Sequence, residues 1–528
     1  MKKKIVMMAF ATLATVSVGA QSAYDAMNIA SNDLNGTARF VCMGGAMGAL
    51  GGDISTIGTN PAGIGIYRSN DAMFTLGFSS IGTESKIGGQ TFNSDKNRWS
   101  FDNAGFVIST KIGNQTTLRY VNFGFNYQKA KSFYRTTTMG GQLGFSQTDL
   151  MASQANAMFT DRYNPVDLFK LQQDNMNPYD DNRVGWLGSL GFDAGLVLTD
   201  DNPDLPFFNY GYEPLANYRS QERGGIDQYD FNVAFNIKDR VYIGFTVGAH
   251  DVDYRKSYYY SEANKEIGDD YSLSSENRIE GIGWNAKLGV IFRPFEESPL
   301  RVGLAIHTPT FYSLSYKTRA AIESNLWYTD DETGEEFQVH SAYSTYYELN
   351  DRDMKREFDL RTPWKYNVSL GYTVGSSLAL GAEYEYEDFS SMKFYYPEGD
   401  EMLFETQQVK QTAQGVHTFR IGAEYKVIPQ FAFRLGYNIS SAAYKDDAVK
   451  VFPTNSINTD TDFANAKSLS NYTLGIGYRG SQFYADLAYK YSTQKADFYP
   501  FAFSDDRPAV TKVTNTRSQV LLTLGLRF

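Results

Sequence analysis

In the stretch GAEYEYEDF, Glu383, Glu385 and Glu387 fall on one side of an extended chain, and Tyr384 and Tyr386 on the other. Neighbouring carboxylates can share protons and do acid–base work. They equally face basic partners, and Arg420, Lys426 and Arg434 on the next two expected strands carry the right charge. A polar network that grips an internal segment is the favoured reading of this row. His250 in GAHDVDY has Asp251 and Asp253 beside it, the residue types of hydrolytic chemistry. On a strand, however, His250 and Asp251 point to opposite faces and form no dyad by themselves. His307, His340 and His417 are far from it and from one another, without metal-ligand spacing. The glycines between Gly44 and Gly52 suggest a phosphate loop, but no Gly-Lys-Ser/Thr follows and no dinucleotide-type strand precedes them. Gly44-x-x-x-Gly48 has no apolar helix to host a helix-pairing motif. No cofactor or metal is implied.

The elements that would position these residues are strands. FNVAFNI sets Phe231, Val233, Phe235 and Ile237 against Asn232, Ala234 and Asn236. WNAKLGVIF and FAFRLGYNI repeat the pattern around Trp284 and Phe431. Period-two alternation marks half-exposed strands, and the Gly, Asn, Lys, Arg and Glu opposite the apolar face suit a wet interior. The links between strands alternate in length. Short turns fall at Gly113–Thr117, Lys238–Arg240, Pro294–Pro299, Gly375–Ser377, Ile428–Gln430 and Gly480–Gln482. Long polar links fall at 83–98, 131–225, 262–277, 319–355, 395–412, 446–467 and 496–514. Six turns and seven loops join fourteen strands, with all long links on one side. That is the layout of an all-β, 14-stranded antiparallel transmembrane barrel, and propellers and sandwiches lack it. The final strand, VLLTLGLRF, ends on Phe528, the C-terminal aromatic that outer-membrane assembly machinery is expected to read.

Composition agrees. The chain of 528 residues carries 38 Tyr and 37 Phe, yet its mean hydropathy is −0.40. Rings in excess without net hydrophobicity fit aromatic girdles at a membrane interface. Residues 1–20 read as a secretory signal, with Lys2-Lys3-Lys4, an apolar run from Ile5 to Val18, and cleavage after Ala20. Loss of those lysines takes the net charge from −11 to about −14, a poor match for nucleic acid. Cys42 is the single cysteine and can form no internal disulfide. No later window is long and apolar enough for a membrane helix, so a barrel is the route into a membrane.

Residues 21–70 lack the alternation. Their stretch ARFVCMGGAMGALGGDISTIGTNPAGIGIYRS, above all Asn60-Pro61-Ala62, resembles the FadL-type outer-membrane transporters of hydrophobic compounds. Arg39, Met43 to Ala46 and Asp53 look like the branch common in Bacteroidetes-type bacteria. The resemblance implies a hatch over 21–70 plugging a barrel over 71–528, in a Gram-negative outer membrane. It implies passive uptake of long-chain fatty acid-like ligands by a non-enzymatic, monomeric channel amid lipid and lipopolysaccharide, gated at Asn60, Pro61, Ala62 and Gly63. Pro61 should hold Asn60 extended, and Gly63 should let the backbone turn. A strand kink beside the hatch is expected at Gly124 in NFGFNY, because glycine weakens strands. In the longest link, Leu150, Met151, Met158, Phe159, Leu168 and Phe169 recur at helical spacing, as an outer apolar docking groove or as a loop packed on itself over the mouth. A transporter predicts an apolar tunnel down to the hatch. A surface receptor or adhesin, for instance haem-capturing, predicts a sealed lumen, and a barrel hydrolase predicts Ser, His and Asp converging at the rim. No TonB box follows Ala20. Fatty acid, aromatic hydrocarbon, haem and bile-acid-like ligands all remain open.

Overall fold

A computed structural model describes residues 20–162, 164–199, 207–209, 214–330, 332–503 and 507–528; the signal assigned to residues 1–20 lies outside this set, apart from Ala20. The N-terminal segment holds two short helices, α1 (Ala23–Ala30) and α2 (Ala38–Cys42), and two 3-10 turns, Ile54–Gly58 and Pro61–Ile66. Each begins on a side-chain cap, from Ser22, Thr37, Asp53 and Asn60 in turn. That is how so short a helix satisfies its first amides.

Among the described residues, fourteen antiparallel strands close into one barrel. β1 runs Asp71–Ile87, β2 Gln90–Lys111, β3 Leu118–Ser132, β4 Leu215–Ile237, β5 Val241–Ala263 and β6 Asp270–Phe292. β7 and β8 each have two pieces, Arg301–His307 with Phe311–Thr329, and Met354–Arg361 with Lys365–Val374. β9 is Leu378–Asp388, β10 Gly415–Ile428, β11 Phe431–Ser440 and β12 Phe463–Arg479. β13 is Phe483–Tyr499 and β14 Thr511–Arg527. β1 pairs with both β2 and β14, and Asn70 and Phe528 exchange backbone bonds where the ring closes.

The six short turns stand where alternation placed them, all at the end carrying Asn70 and Phe528. Two of the long links are much shorter than expected. The proposed link 83–98 is a hairpin turning on Gly88-Gly89, and 262–277 shrinks to residues 264–269. The cause is visible on β5, which at 23 residues is about twice the span a bilayer needs. Its outward side chains pass from Ile243, Phe245, Val247 and Ala249 to Asp251, Asp253 and Arg255. The strand leaves the membrane and continues in water, where polarity no longer distinguishes strand from loop.

Gly124 does not kink the wall. β3 pairs through it without interruption, Gly124 opposite Val107 on one side and Asn232 on the other. Two bonded neighbours and a small residue in the lumen leave nothing to bend. The interruptions lie at Thr308-Pro309-Thr310 in β7 and Thr362-Pro363-Trp364 in β8. The register is the same above and below, which sets Pro309 against Pro363. Neither can donate to the ladder, and Thr310 N instead donates to Thr362 Oγ1 at 2.8 Å.

Above the membrane the longest link folds on itself. It carries α3 (Gln147–Phe159), α4 (Leu168–Gln173) and α5 (Trp186–Asp193). Met151, Met158, Leu168, Trp186 and Leu190 share one buried cluster with Tyr258, Tyr260 and Tyr316 of the barrel's upper inner face. On α5, burial pushes the Asp193 carboxyl up to about 6, even though the Tyr179 hydroxyl donates to it at 2.6 Å. A carboxyl raised in the folded state binds its proton more tightly there than when unfolded. The cap therefore gains stability as pH falls through 6 and keeps the gain below the ordinary aspartate range. At about 1.4 kcal/mol per unit the gain is at most on the order of 2–3 kcal/mol. Amide exchange of α5, corrected for intrinsic rate, should slow between pH 7.5 and 5 in the native chain and lose this dependence in Asp193→Asn. Protection that is flat with pH in both would contradict the burial argument.

Candidate functional site in the barrel lumen

The N-terminal segment contacts the inner wall backbone to backbone, and glycine makes this possible. A Cβ on Gly289 of β6 would stand 2.1 Å from Asn60 Oδ1, and one on Gly244 of β5 would stand 2.3 Å from Pro61 O. On Gly381 of β9 it would meet Ala46 O at 2.0 Å, and on Gly436 of β11 Gly44 N at 2.2 Å. Gly475 of β12 leaves the space taken by Cys42 Sγ, whose thiol is pushed up to about 12 by burial and is inert. One glycine on strand after strand forms a belt against which the segment lies.

Asn60 is extended, at φ −136°, as the following proline requires. Its Oδ1 accepts from Ala62 N at 3.1 Å and its Nδ2 donates to Val290 O at 3.2 Å, so one side chain both caps the turn and ties it to β6. Asn232 of β4 donates to Pro61 O at 3.3 Å. Gly63 differs from expectation. Its backbone is not left-handed; a Cβ there would lie 2.4 Å from Thr56 Oγ1, so close packing, not turning, excludes a side chain. Gly124 has a related place, its missing Cβ facing Ile57 and Ile64 of the segment at 3.4 and 3.7 Å.

The carboxylate row faces inward and is paired. Arg420 bridges Glu383 at 2.6 Å and Glu385 at 2.7 Å, and Lys365 reaches Glu387 at 3.0 Å. Glu383 also accepts from Gly48 N at 3.0 Å, so the row holds the segment directly. Arg434 does not serve this row. It lies on the next ionic cluster, bonded to Glu424 at 2.6 Å and Asp486 at 2.5 Å, and Arg39 of α2 joins Glu424 at 2.9 Å. Lys426 is likewise no partner of the row, since it sits at the periplasmic end of β10. Sequence could not choose among the three cations, because the choice rests on cross-strand register: Arg420 stands opposite Glu383. The pair of Arg39 and Glu424 escapes sequence reasoning, its sole signal being opposite charge in remote segments.

Above the segment is a cavity of about 430 Å³. Tyr24, Asp25 and Asn28 of α1 line it, with Lys131, Lys256 and Lys490 from the wall. Phe133, Phe389 and Phe463 add rings. This departs from an apolar tunnel: the wall is mixed, aromatic and charged. The docking loop is also corrected. Met151, Met158 and Leu168 are buried and Leu150 and Phe159 pack against the same core, which leaves Phe169 exposed. Helical spacing reported the inside of a packed cap. His250 is buried with Asn285 Nδ2 at 3.1 Å and Tyr312 OH at 3.2 Å on its two nitrogens.

No family model matches the chain, and no curated protein matches it. Among solved structures, a Pseudomonas aeruginosa FadL homologue matches 94% of this chain and 100% of its own, at 12% identity and a TM-score of 0.52. The Pseudomonas putida toluene transporter TodX matches at 10% identity, 94% and 99% coverage and a TM-score of 0.46. The Ralstonia pickettii toluene transporter TbuX matches at 14% identity, with the same coverages and TM-score. The first of these carries the comparison. The chain has the FadL-type fold, a 14-stranded barrel of the outer membrane, and its outward belt of Phe231, Trp284, Leu304, Phe433 and Leu474 is the lipid-facing surface such a barrel needs.

If the glycine belt seats the segment, Gly289→Ala should loosen it, at about the 1–3 kcal/mol typical of an overpacked site. The purified barrel should still show its heat-modifiable gel shift, while KCl conductance in planar bilayers rises several-fold. Leu288→Ala on the outward face should change neither. Equal conductance in Gly289→Ala and native protein would remove the seating role.

Proposed function

We propose that this protein is a passive outer-membrane channel for hydrophobic small molecules of the long-chain, fatty acid-like class, and that its N-terminal segment is the hatch. The observation that carries this reading is the cavity lying on a plug that is seated by glycines and held by ion pairs. A solute captured there meets the hatch directly, and displacing the Asn60-Pro61-Ala62 turn clears the way inward. The mixed wall favours an amphiphile over a bare hydrocarbon. Lys131 Nζ donates to Ser31 Oγ and Lys490 Nζ to Leu34 O, both at 2.5 Å, and Arg517 lies 3.0 Å from Asp33. These three cations, with Asp33, Glu222 and Asp102 as the carboxylates near them, offer donors to an acidic head, beside rings for a chain. At the double-proline interruption neither Pro309 nor Pro363 donates to the ladder, which makes it the place for an exit sideways into lipid.

The channel is read as monomeric and non-enzymatic. His250 is held by an amide and a phenol, which supplies no acid–base dyad. Asn60→Ala removes a cap and a wall contact together, worth about 1–2 kcal/mol. Asn60→Ala and Pro61→Ala should each lower uptake of radiolabelled oleate by cells expressing the protein about fivefold or more, with barrel assembly unchanged. Uptake equal to that of the native chain in both variants would rule out a gating role for this turn.

A further inference from the structure

Residues 456–462, in the link between β11 and β12, turn down into the barrel mouth, and all seven are buried. The wall holds them through Lys256 of β5, whose Nζ lies 2.9 Å from Asp460 and 2.8 Å from Asp462. Tyr258 OH donates to Thr459 O at 2.6 Å, and Gln147 Nε2 of α3 to Thr461 Oγ1 at 2.8 Å. The same link is joined to the hatch. Tyr24 of α1 stacks on Tyr444 of the link at 5.1 Å; it also meets Phe463 of β12 at 5.5 Å, and its hydroxyl donates to Asn465 Oδ1 of β12 at 2.7 Å. Asn465 Nδ2 in turn donates to Ala448 O of the link at 2.8 Å. Asp25 and Asn28 of α1 line the cavity together with Lys256, Asp460 and Asp462, so this joint forms its roof and one of its walls.

We infer that residues 441–462 and α1 form a single closing unit at the extracellular mouth, latched to the wall by Lys256, so that freeing the loop also draws α1 away from the cavity. The latch is strong and breakable for one reason. Two buried carboxylates share one wall ammonium, and taking that charge away leaves them facing each other with Lys450 as the remaining cation, an arrangement that is expelled into water. The stack of Tyr24 on Tyr444 joins α1 to the loop and pulls it along, against the ring contact and hydrogen bond that tie Tyr24 to Phe463 and Asn465 of β12.

Asn28→Cys places a reporter in the cavity; native Cys42 does not interfere, being buried with its thiol held neutral. In proteoliposomes, Lys256→Met should raise the rate at which a charged maleimide labels the introduced thiol about tenfold or more, and should raise KCl conductance in planar bilayers. If Lys256→Met fails to assemble, the isosteric Asp460→Asn/Asp462→Asn chain removes the same attraction and should give the same two results. Higher conductance without faster labelling would show the loop leaving alone, and unchanged labelling in a folded barrel would show no latch; either overturns the inference. Neither readout uses a hydrophobic solute. A native protein that fails to take up oleate would therefore overturn the uptake reading and leave the latch standing.

Discussion

Everything inside this barrel depends on how closely two backbones can approach where no Cβ intervenes. A 14-stranded ring encloses more space than its own side chains fill, and here about fifty residues of the chain's beginning occupy the lower part of it. Glycine on the inward face of one strand after another makes that stretch of wall nearly smooth. The segment can then lie as a layer against it, its turns capped by its own side chains and its carbonyls and amides offered to the wall. Substituting methyl groups around the belt would push the segment inward everywhere at once, since packed interiors take up extra volume poorly.

The ionic clusters follow from the same geometry. With the apolar residues turned to lipid, polar and charged residues must line the lumen, and the seated segment removes much of their water. Each charge there needs a partner, because an unpaired buried ion is costly. Arg39, Glu424, Arg434 and Asp486 form one chain of partners and Lys365, Arg420 and the Glu383 row another, and both cross between segment and wall. Glycine sets the distance and charge sets the position. Buried apolar clusters, such as Ile54, Ile57, Ile64 and Tyr67 against Met73 and Val107, pack the segment onto the same seat.

The strands are legible in the sequence because the membrane imposes a strict period of two, and the turns because they sit where that period breaks. Legibility stops at the membrane edge. Beyond Ala249, β5 has polar side chains outward and tyrosines inward, a pattern shared by loops, so the upper strands read as links. The long external segment fails differently: Met151, Met158 and Leu168 have helical spacing, but spacing does not say whether an apolar face meets a ligand or its own neighbours. At the plug, Asn60-Pro61 is readable because proline constrains the residue before it. The seat beneath it is not, since Gly244, Gly289 and Gly381 look alike in sequence to any glycine on a strand. Their meaning appears once the segment is laid on them.

The upper and lower halves of the lumen obey opposite rules, and the difference bears on direction. Below, contact is broad, glycine-floored and spread over most strands, so opening there needs the segment to shift as a whole. Above, the mouth is closed by a link whose ionic hold on the wall is Lys256 with Asp460 and Asp462, beside hydrogen bonds from Tyr258 and Asn465. A concentrated hold can be broken by a local competitor, such as the charged head of an amphiphile arriving beside Lys256, whereas a distributed one cannot. On the latch inferred above, disturbance at the mouth passes to the N-terminal segment in chain order: loop, α1, then the Asn60 turn. The reverse order would require the broad seat to yield first. On the proposed reading the concentrated contact acts as trigger and the distributed one as the barrier it unlocks, while net movement follows the solute's own gradient.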